Sequence, residues 1–383
     1  AFQAARDTGK HVYIPPGTLA SPKHYLLTQV IYPMAGQVFH CPNWSYPLAS
    51  GWTYAESELP NIPTCILWAN TSNYCFYQNK SMSLVDGVMV VQHFNYVPTA
   101  GGAFHHGSTT ELCLIPRIHN CGSLGTYTGM HNSGQQSGSN LFNCTMGESR
   151  YADFHIDLAA PYGALTWDGP RSQSGKRGLL VDGCDTSRIS GLKINNTSVA
   201  QSPYATPFAL TGANAGISAM QFTNLIIEDP SMTGDVITIG AATGYDVTDV
   251  TIDCIHAYAY SPSFNRNLAL GATSKRICIS DAHLRGFKYV DNGTANSING
   301  RIHTELAVTG SGTAVTLNGP DANLSGLHVE DYVNGLTFGA GGNYALLGNV
   351  NLRGNTNALD ATSDAAAKAT GKGRGILGLA DWG

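Results

Sequence analysis

Short apolar runs, broken by glycine and small polar residues, recur along most of the chain. Between about residues 151 and 358, pieces of four to eight residues alternate or cluster Val, Ile, Leu and Thr, and Gly, Asn, Asp or Ser bounds nearly all of them. Alternation with such boundaries predicts β-strands. The strand-like pieces are FHIDLA, ALTWDG, GLLVDG, ISGLKI, FALTG, MQFTNLII, DVITI, DVTIDC, RICIS, TAVTLNG, LSGLHVED, GLTFGAGG and ALLGNVNL.

These strands repeat at a nearly constant distance. Corresponding strands begin at about 313, 335 and 358, a step of 22 or 23 residues, and steps of 27 to 29 separate 179, 208 and 235. Repeats of about 20 to 30 residues that contain only strands and turns are typical of a parallel β-helix. The fold is therefore predicted to be all-β, a right-handed parallel β-helix solenoid. A large β-sandwich, which also has regularly spaced short strands, is the alternative.

Three regions differ in their pattern. Residues 1–150 are predicted to form an N-terminal capping segment and first irregular coils with long loops. Residues 151–358 are predicted to form the regular β-helix, and residues 359–383 a C-terminal cap or tail.

The first region contains two specific local signals. Phe2, Ala4 and Ala5 line a short N-terminal capping helix, which Gly9 ends. The stretch 122–140 is mostly Gly, Ser, Thr, Gln and Asn, and is predicted to be an exposed loop.

Composition argues against several kinds of binding partner. Charged residues make up 12% of the 383 residues, the net charge is -5, and no basic stripe is present, which argues against nucleic acid. No apolar run approaches the roughly 18 residues of a membrane span. The nine cysteines include no C-x-x-C pair, so buried free thiols are expected, with one or two disulfides in the first 150 residues left open.

The opening of the chain resembles a known family. Ala1-Phe2-Gln3-Ala4-Ala5 and the segment VYIPPGT at 12–18 are similar to the entry helix and first strand of pectin-lyase-like β-helix proteins. The same opening is frequent in bacteriophage tailspikes and capsule depolymerases. The resemblance implies an endo-acting glycoside hydrolase, without a cofactor, that binds and cleaves a bacterial surface polysaccharide such as O-antigen or capsule. It also implies a homotrimer that belongs to a phage virion or is extracellular.

A second resemblance is local. The segment TGDVITI at 233–239 is similar to the G-D-D-apolar-I-x-I segment of polygalacturonases, with one Asp where they have two. Their N-x-D, G-H-G and R-x-K elements are absent. The resemblance therefore supports the fold more than pectin hydrolysis.

A glycosidase needs two carboxyl groups, either about 5 Å apart or about 6.5–9.5 Å apart. Stacked strands lie about 4.8 Å apart, so carboxylates on one or two rungs fit either mechanism. Asp235 and Asp182 are the predicted catalytic pair, assisted by Glu228 or Asp168. The alternative for each of them is a turn residue that accepts backbone hydrogen bonds.

Alternation predicts which way these side chains face. In ALTWDG, Leu165 and Trp167 point inward and Asp168 outward, and in FHIDLA Asp157 points outward. Asp235 shares parity with Ile237 and Ile239, so a bend at Gly234 is needed to expose it.

Aromatic side chains are expected to stack on sugar faces. Trp167, Tyr258 and Tyr260 are the predicted substrate-binding residues, and the alternative is that they cover the core.

Other functions remain open or are disfavoured. A polysaccharide lyase, with Lys176, Arg177 or His155 near the acidic strands, and a glycan-binding adhesin without activity are the competing hypotheses. No metal site is predicted, because the histidines are scattered and the one adjacent pair, His105-His106, is placed in a loop.

Overall fold

A computed structural model describes most of the chain, and nearly all of what it describes is β-strand in parallel pairs. The described residues are 2–42, 54–158, 162–173, 175–195, 206–228, 234–258, 266–304, 312–339, 349–352 and 354–359. Two compact units are present, Ala1–Pro207 and Phe208–Gly383. The predictions of a right-handed parallel β-helix and of a short N-terminal helix, Phe2–Asp7, are confirmed.

In the N-terminal unit, successive coils contribute strands to three parallel sheets, called N1, N2 and N3. Sheet N1 contains Val12–Tyr13, Val38–His40, Leu84–Asp86, Arg117–His119, Asn140–Phe142, Thr166–Asp168 and the second half of Leu179–Ser190. Sheet N2 contains Lys23–Leu27, Thr64–Trp68, Met89–Gln92, Gly122–Leu124, Thr145–Gly147, Arg171–Gln173 and Lys193–Asn195. Sheet N3 contains Tyr74–Gln78, Gly102–His106, Thr128–Gly134, Ala152–Leu158 and the first half of Leu179–Ser190.

Two smaller elements accompany these sheets. Cys113–Leu114 and Gln136–Ser137 pair with each other, and Glu56–Asn61 is a 3-10 helix.

The C-terminal unit has two parallel sheets, called C1 and C2. Sheet C1 contains Phe208–Leu210, Gly234–Ile239, Arg266–Leu270, Lys288–Asp291, Thr313–Leu317, Asn334–Phe338 and Asn357–Leu359. Sheet C2 contains Ile217–Glu228, Val247–Thr248, Thr251–Tyr258, Ser274–Lys275, Cys278–Arg285, Ser297–His303 and Leu327–Glu330.

The core consists of columns in which each apolar side chain stacks on its equivalent in the next coil. Val85, Ile118, Leu141, Trp167 and Ile189 are direct register partners in sheet N1, and all five are buried. Removing such side chains from water is the main favourable term, at roughly 25 cal/mol per Å² of apolar surface.

The corner between sheets N1 and N2 contains one left-handed residue in each of five successive coils. Gly87, Asn120, Asn143, Gly169 and Gly191 occupy this position with φ between 49° and 67°. Only Gly, and to a lesser degree Asn, adopts this left-handed conformation readily. The backbone N–H of Asn143 donates to the Asp168 carbonyl of the next coil at 2.8 Å, so the corner also holds coils in register.

Two predictions for the first region are wrong. The stretch 122–140 contains the strands Gly122–Leu124 and Thr128–Gly134 instead of an exposed loop, and His105-His106 ends the strand Gly102–His106. Both segments use Gly, Ser, Thr and His where other coils use Val or Ile. Their strands are therefore stabilised by stacking on neighbouring coils more than by their own β-propensity.

All nine cysteines are thiols and seven of them are buried, as expected. Burial raises the pKa of the Cys113 thiol to about 11, which keeps it protonated and unreactive. Across the described ranges, no helix is long and apolar enough to span a lipid bilayer.

Replacing the corner glycine Gly169 by alanine is expected to lower the free energy of unfolding by about 1–2 kcal/mol. Its φ is +63°, and an added Cβ would meet nothing closer than Asn143 Cα at 3.8 Å, so the cost is conformational and not steric. Gly169→Asn should cost less, because Asn occupies the same corner in two other coils. Thermal unfolding measures both, and equal stability of all three proteins would refute the role of the corner.

Candidate functional site

A column of aromatic and imidazole side chains runs along the outer face of sheet N3. Tyr77, His105, His131 and His155 are direct register partners on four successive coils. They are called here the N3 histidine column. The three histidines are 26 and 24 residues apart, which is one coil each.

Strand alternation aims this column outward. The preceding residue in each strand points into the core, and Phe76, Phe104, Met130 and Phe154 are completely buried there. Charged residues make up only 12% of the chain, so a row of titratable side chains on one sheet marks this face as a candidate site.

Two hydrogen-bonded pairs form the centre of the site. In the first, the Tyr74 hydroxyl lies 2.5 Å from Nδ1 of His131. Burial raises the pKa of Tyr74 and lowers the pKa of His131 well below its usual value, with His155 and His105 adding to the second effect. At neutral pH the phenol is therefore protonated, and its O–H donates a hydrogen bond to a neutral imidazole.

In the second pair, Nε2 of His155 lies 2.9 Å from Oδ2 of Asp182, and the two side chains are only 9% and 10% exposed. Asp182 is the extra residue of a β-bulge, because Ile156 pairs with Val181 but Asp157 pairs with Gly183. A bulge turns its extra side chain away from the regular direction. This irregularity brings the Asp182 carboxylate to the His155 ring.

The two pairs are adjacent to each other. The rings of His131 and His155 stack with centroids 4.4 Å apart and planes only 2° from parallel. His105 continues the column 5.3 Å from His131 and is nearly buried, and burial lowers its pKa to about 3. His105 is therefore neutral at physiological pH.

Tyrosines and one cation flank the pairs. Tyr127 and Tyr151, which precede two strands of sheet N3, stack at 5.4 Å and 4°. The Arg177 guanidinium lies 5.1 Å from the centre of the Tyr151 ring, and Tyr151 meets the edge of His155 at 5.4 Å. Aromatic faces suit sugar rings, and a guanidinium suits a carboxylate.

Three side chains on this face could together hold a metal ion. Ligand atoms of His131, His155 and Asp157 lie within 4.8 Å of one another, and two imidazoles with a carboxylate suit a transition metal. One nitrogen of each imidazole bonds Tyr74 or Asp182, which leaves the other nitrogen for proton transfer or for a metal ion. Metal-binding histidines commonly make such bonds with their second nitrogen.

A fully buried carboxyl group, that of Asp153, lies on the same strand as His155. Asp153 is fully buried, with its Oδ2 2.7 Å from the Ser172 hydroxyl and its Oδ1 3.2 Å from the Ser149 N–H. Burial raises its pKa to about 7, although the two hydrogen bonds oppose this. Asp153 thus titrates in the physiological range.

The site residues predicted in the N-terminal unit do not all lie on one face. Asp182 and the lyase candidates His155 and Arg177 belong to the site. Asp168 is exposed on sheet N1, as alternation predicted, and not on the face of Asp182. Trp167 is 1% exposed and packs on Phe154 at 5.6 Å, so it fills the core and its position does not support stacking on sugar.

The other predicted residues belong to the C-terminal unit. Asp235 is exposed and accepts a hydrogen bond from Asn267 at 2.8 Å, while Ile237 is buried. Asp235 is exposed as predicted, but the register shift lies between these two residues and not at Gly234. Glu228 and Tyr258 are register partners on sheet C2, whereas Asp235 lies on sheet C1. Tyr260 lies outside the described residues.

Sequence reasoning missed Tyr74, His131 and Tyr151. The strands of Tyr74 and His131 lack clear apolar alternation, so nothing assigned these two residues to a sheet, and Tyr151 lies just before the predicted strand FHIDLA. The available signal was the recurrence of histidine one coil apart, at 105, 131 and 155.

Comparison with known proteins identifies a fold. No protein family and no curated protein sequence matches the chain. The A-module of Azotobacter vinelandii mannuronan C-5 epimerase AlgE6 is similar, with a TM-score of 0.53 and 10% identity over 99% of this chain and 93% of that one. Tailspike protein 3 of bacteriophage CBA120 is similar, with a TM-score of 0.50 and 10% identity over 100% of this chain and 56% of that one. Both likenesses support the parallel β-helix.

Asp153→Asn is expected to remove a pH dependence of stability. The pKa of Asp153 is raised from 3.8 to about 7 on folding, so the free energy of unfolding falls as pH rises between these values. The slope approaches about 1.4 kcal/mol per pH unit. An Asn side chain keeps one acceptor for Ser149 and offers a donor to Ser172.

Thermal unfolding between about pH 4 and pH 8 measures the effect. Asp168→Asn, a change at an exposed carboxylate, is the control and should retain the wild-type slope. An unchanged slope in Asp153→Asn would show that this carboxyl is not the titrating group.

Proposed function

We propose that the N-terminal unit binds an acidic polysaccharide along sheet N3 and removes the C5 proton of a uronate residue, cleaving the chain by β-elimination. The observation that supports this most directly is the juxtaposition of the two pairs, Tyr74–His131 and His155–Asp182. β-Elimination needs one group that accepts a proton and another that donates one. The His155–Asp182 pair supplies the acceptor, and the Tyr74–His131 pair supplies the donor.

His155 is the proposed base. Its Nε2–H donates to Asp182, which leaves the Nδ1 lone pair available and stabilises the imidazolium that forms. As the C5–H bond breaks, its electrons form the C4=C5 double bond and the C4–O4 bond breaks.

Tyr74 is the proposed acid. Its raised pKa keeps the hydroxyl protonated at neutral pH, as an acid requires. The hydroxyl turns from His131 to the departing O4 and protonates it. His131 acts as a positioning residue, because its neutral Nδ1 holds the phenol beside His155.

Arg177 is the proposed partner of the substrate carboxylate. An ion pair there withdraws charge from the carboxylate, which makes the neighbouring C5 proton more acidic. Tyr151 and Tyr127 are the proposed sugar-stacking platform beside it.

Hydrolysis by paired carboxylates is the second candidate function. Asp182 and Asp157 both adjoin His155, so two carboxyl groups are present on one face of the sheet. Of the catalytic pair predicted from the sequence, Asp182 fits this role. Asp235, with Glu228, stays a separate proposal for the C-terminal unit.

The structural neighbours agree with a polysaccharide substrate. One is by name an epimerase that acts at C5 of mannuronan, and such a reaction must remove a C5 proton. The other is a phage tailspike, which is the basis for proposing a bacterial surface polysaccharide as substrate and a homotrimeric protein of the virion or the extracellular space.

Incubation with alginate, polygalacturonate and bacterial capsular polysaccharides tests the reaction. β-Elimination should give fragments with an unsaturated, ultraviolet-absorbing end, each lighter by one water than the hydrolysis product. Tyr74→Phe should lower kcat about 100-fold or more. Asp182→Asn, which keeps the shape but not the charge, should lower it about 100- to 10,000-fold.

Two variants serve as matched controls. Tyr77→Phe removes a hydroxyl from the same strand, and Asp168→Asn neutralises an exposed carboxylate on another sheet. Both should retain at least about half of the wild-type kcat, since neither belongs to the pairs. Saturated fragments would show that the chain is cleaved by hydrolysis and not by elimination. Undiminished activity of Tyr74→Phe would refute the assigned acid.

A further inference from the structure

Three side chains with metal-binding atoms lie together on two neighbouring strands of sheet N3. His155 and Asp157 are two residues apart on the strand Ala152–Leu158, so alternation places both on the outer face. His131 is the direct register partner of His155 on the preceding coil. Ligand atoms of the three side chains lie within 4.8 Å of one another. These three residues are called here the N3 ligand set.

One nitrogen of this set is buried without a partner. Nε2 of His131 has no hydrogen-bond partner among the described residues, whereas Nδ1 of the same ring bonds the Tyr74 hydroxyl. A buried polar atom that makes no hydrogen bond is destabilising, and native proteins rarely keep one without a reason. A ligand at Nε2 would remove this cost, so the atom indicates a binding site independently of the clustering.

The second nitrogen of each imidazole is already held by an oxygen. Nε2–H of His155 donates to Asp182 at 2.9 Å, which leaves the Nδ1 lone pair for an ion. In His131 the proton must move from Nε2 to Nδ1, and the hydrogen bond then reverses, with Nδ1–H donating to the Tyr74 oxygen. Histidines that bind metal ions commonly donate their second N–H to an oxygen in this way.

Charge around the ligand set favours a cation. Burial lowers the pKa of His131 well below its usual value, so the ring is neutral at physiological pH and an ion need not displace a proton from it. Burial raises the pKa of the nearby Tyr151 hydroxyl, the carboxylates of Asp182 and Asp157 add to this, and Arg177 opposes it. Two carboxylates and one guanidinium therefore act at this position, which leaves an excess of negative charge.

We propose that the N3 ligand set binds one divalent transition-metal ion, of the class of Zn²⁺, through Nε2 of His131, Nδ1 of His155 and the Asp157 carboxylate. Two imidazoles and a carboxylate suit Zn²⁺ or Co²⁺, whereas Ca²⁺ and Mg²⁺ prefer oxygen ligands alone. Three protein ligands leave a fourth position for water.

Binding requires a small contraction of the set. Ligand atoms about 2.0–2.1 Å from a tetrahedral ion lie about 3.3 Å from one another. The three side chains must therefore approach one another by up to about 1.5 Å from the present limit of 4.8 Å. The outer torsions of His and Asp side chains are broad, so rotation about them can supply this movement.

The ion would control the proposed elimination. It occupies the Nδ1 lone pair of His155, which the proposed base needs in order to accept the C5 proton. The metal-free protein is then the active form, and the metal-loaded protein does not cleave a uronate polymer. This consequence rests on the proposed function, whereas the metal site does not.

Calorimetric titration of the full chain with Zn²⁺, after treatment with EDTA and dialysis, tests the site at neutral pH. One strongly bound Zn²⁺ per chain is expected. Co²⁺ should bind the same site with a visible absorption that Zn²⁺ abolishes and Ca²⁺ does not. His131→Gln and Asp157→Asn should each lower the affinity for Zn²⁺ at least about 100-fold, because each removes a ligand. Tyr74→Phe should lower it about 10- to 100-fold, because only the oxygen that holds His131 is lost.

Two variants serve as matched controls. His105 is an imidazole of the same column one coil earlier but outside the ligand set, and Asp168 is an exposed carboxylate on sheet N1. His105→Gln and Asp168→Asn should bind Zn²⁺ within about threefold of the wild type. Thermal unfolding without metal shows whether each variant is folded, and Zn²⁺ should raise the Tm of the wild type but not that of His131→Gln.

Three results would overturn the site: no binding of Zn²⁺, equal affinity of the wild type and His131→Gln, or displacement of Co²⁺ by Ca²⁺. The elimination assay is read separately, and saturating Zn²⁺ should abolish cleavage that EDTA restores. If Zn²⁺ binds as proposed and elimination continues, the metal site stands and His155 is not the base. Absence of elimination from both forms would refute the proposed function and leave the metal site intact.

Discussion

Parallel stacking of coils in exact register is the constraint on which the rest of the structure depends. Every strand finds its hydrogen-bond partners in the coils before and after it, so a slip of one residue would turn its apolar side chains outward. The left-handed corner residues prevent such a slip in the N-terminal unit. Gly87, Asn120 and Asn143 turn the chain at one position, and their N–H groups bond the following coil.

Register also brings the side chains of the candidate site together. A histidine placed once per coil becomes a column of imidazoles in contact, as His105, His131 and His155 show. Regular stacking alone would line up identical groups with identical surroundings. The bulge at Asp182 breaks the repetition, and it gives His155 a carboxylate while His131 keeps a phenol. A local irregularity on a regular scaffold therefore differentiates two otherwise equivalent side chains.

The sequence predicted what depends on apolar alternation. It assigned most of the strands after residue 151, the inward Trp167, the outward Asp157 and an irregularity that exposes Asp235. It did not predict the strand Thr128–Gly134, whose Gly, Ser, Asn and His residues have little β-propensity of their own. The bulge at Asp182 was equally hidden, because it arises from pairing with another coil and leaves no local signal. The site therefore lies where tertiary stacking overrides local preference.

Burial sets the protonation states of the side chains on sheet N3. On sheet N3, desolvation keeps His105 and His131 neutral and Tyr74 protonated, so the groups are fixed in the states that proton transfer requires. On sheet C2, by contrast, Arg301 and His328 are exposed to water. The same residue type is therefore dehydrated on one sheet and solvated on another, and its surroundings on the strand face determine which.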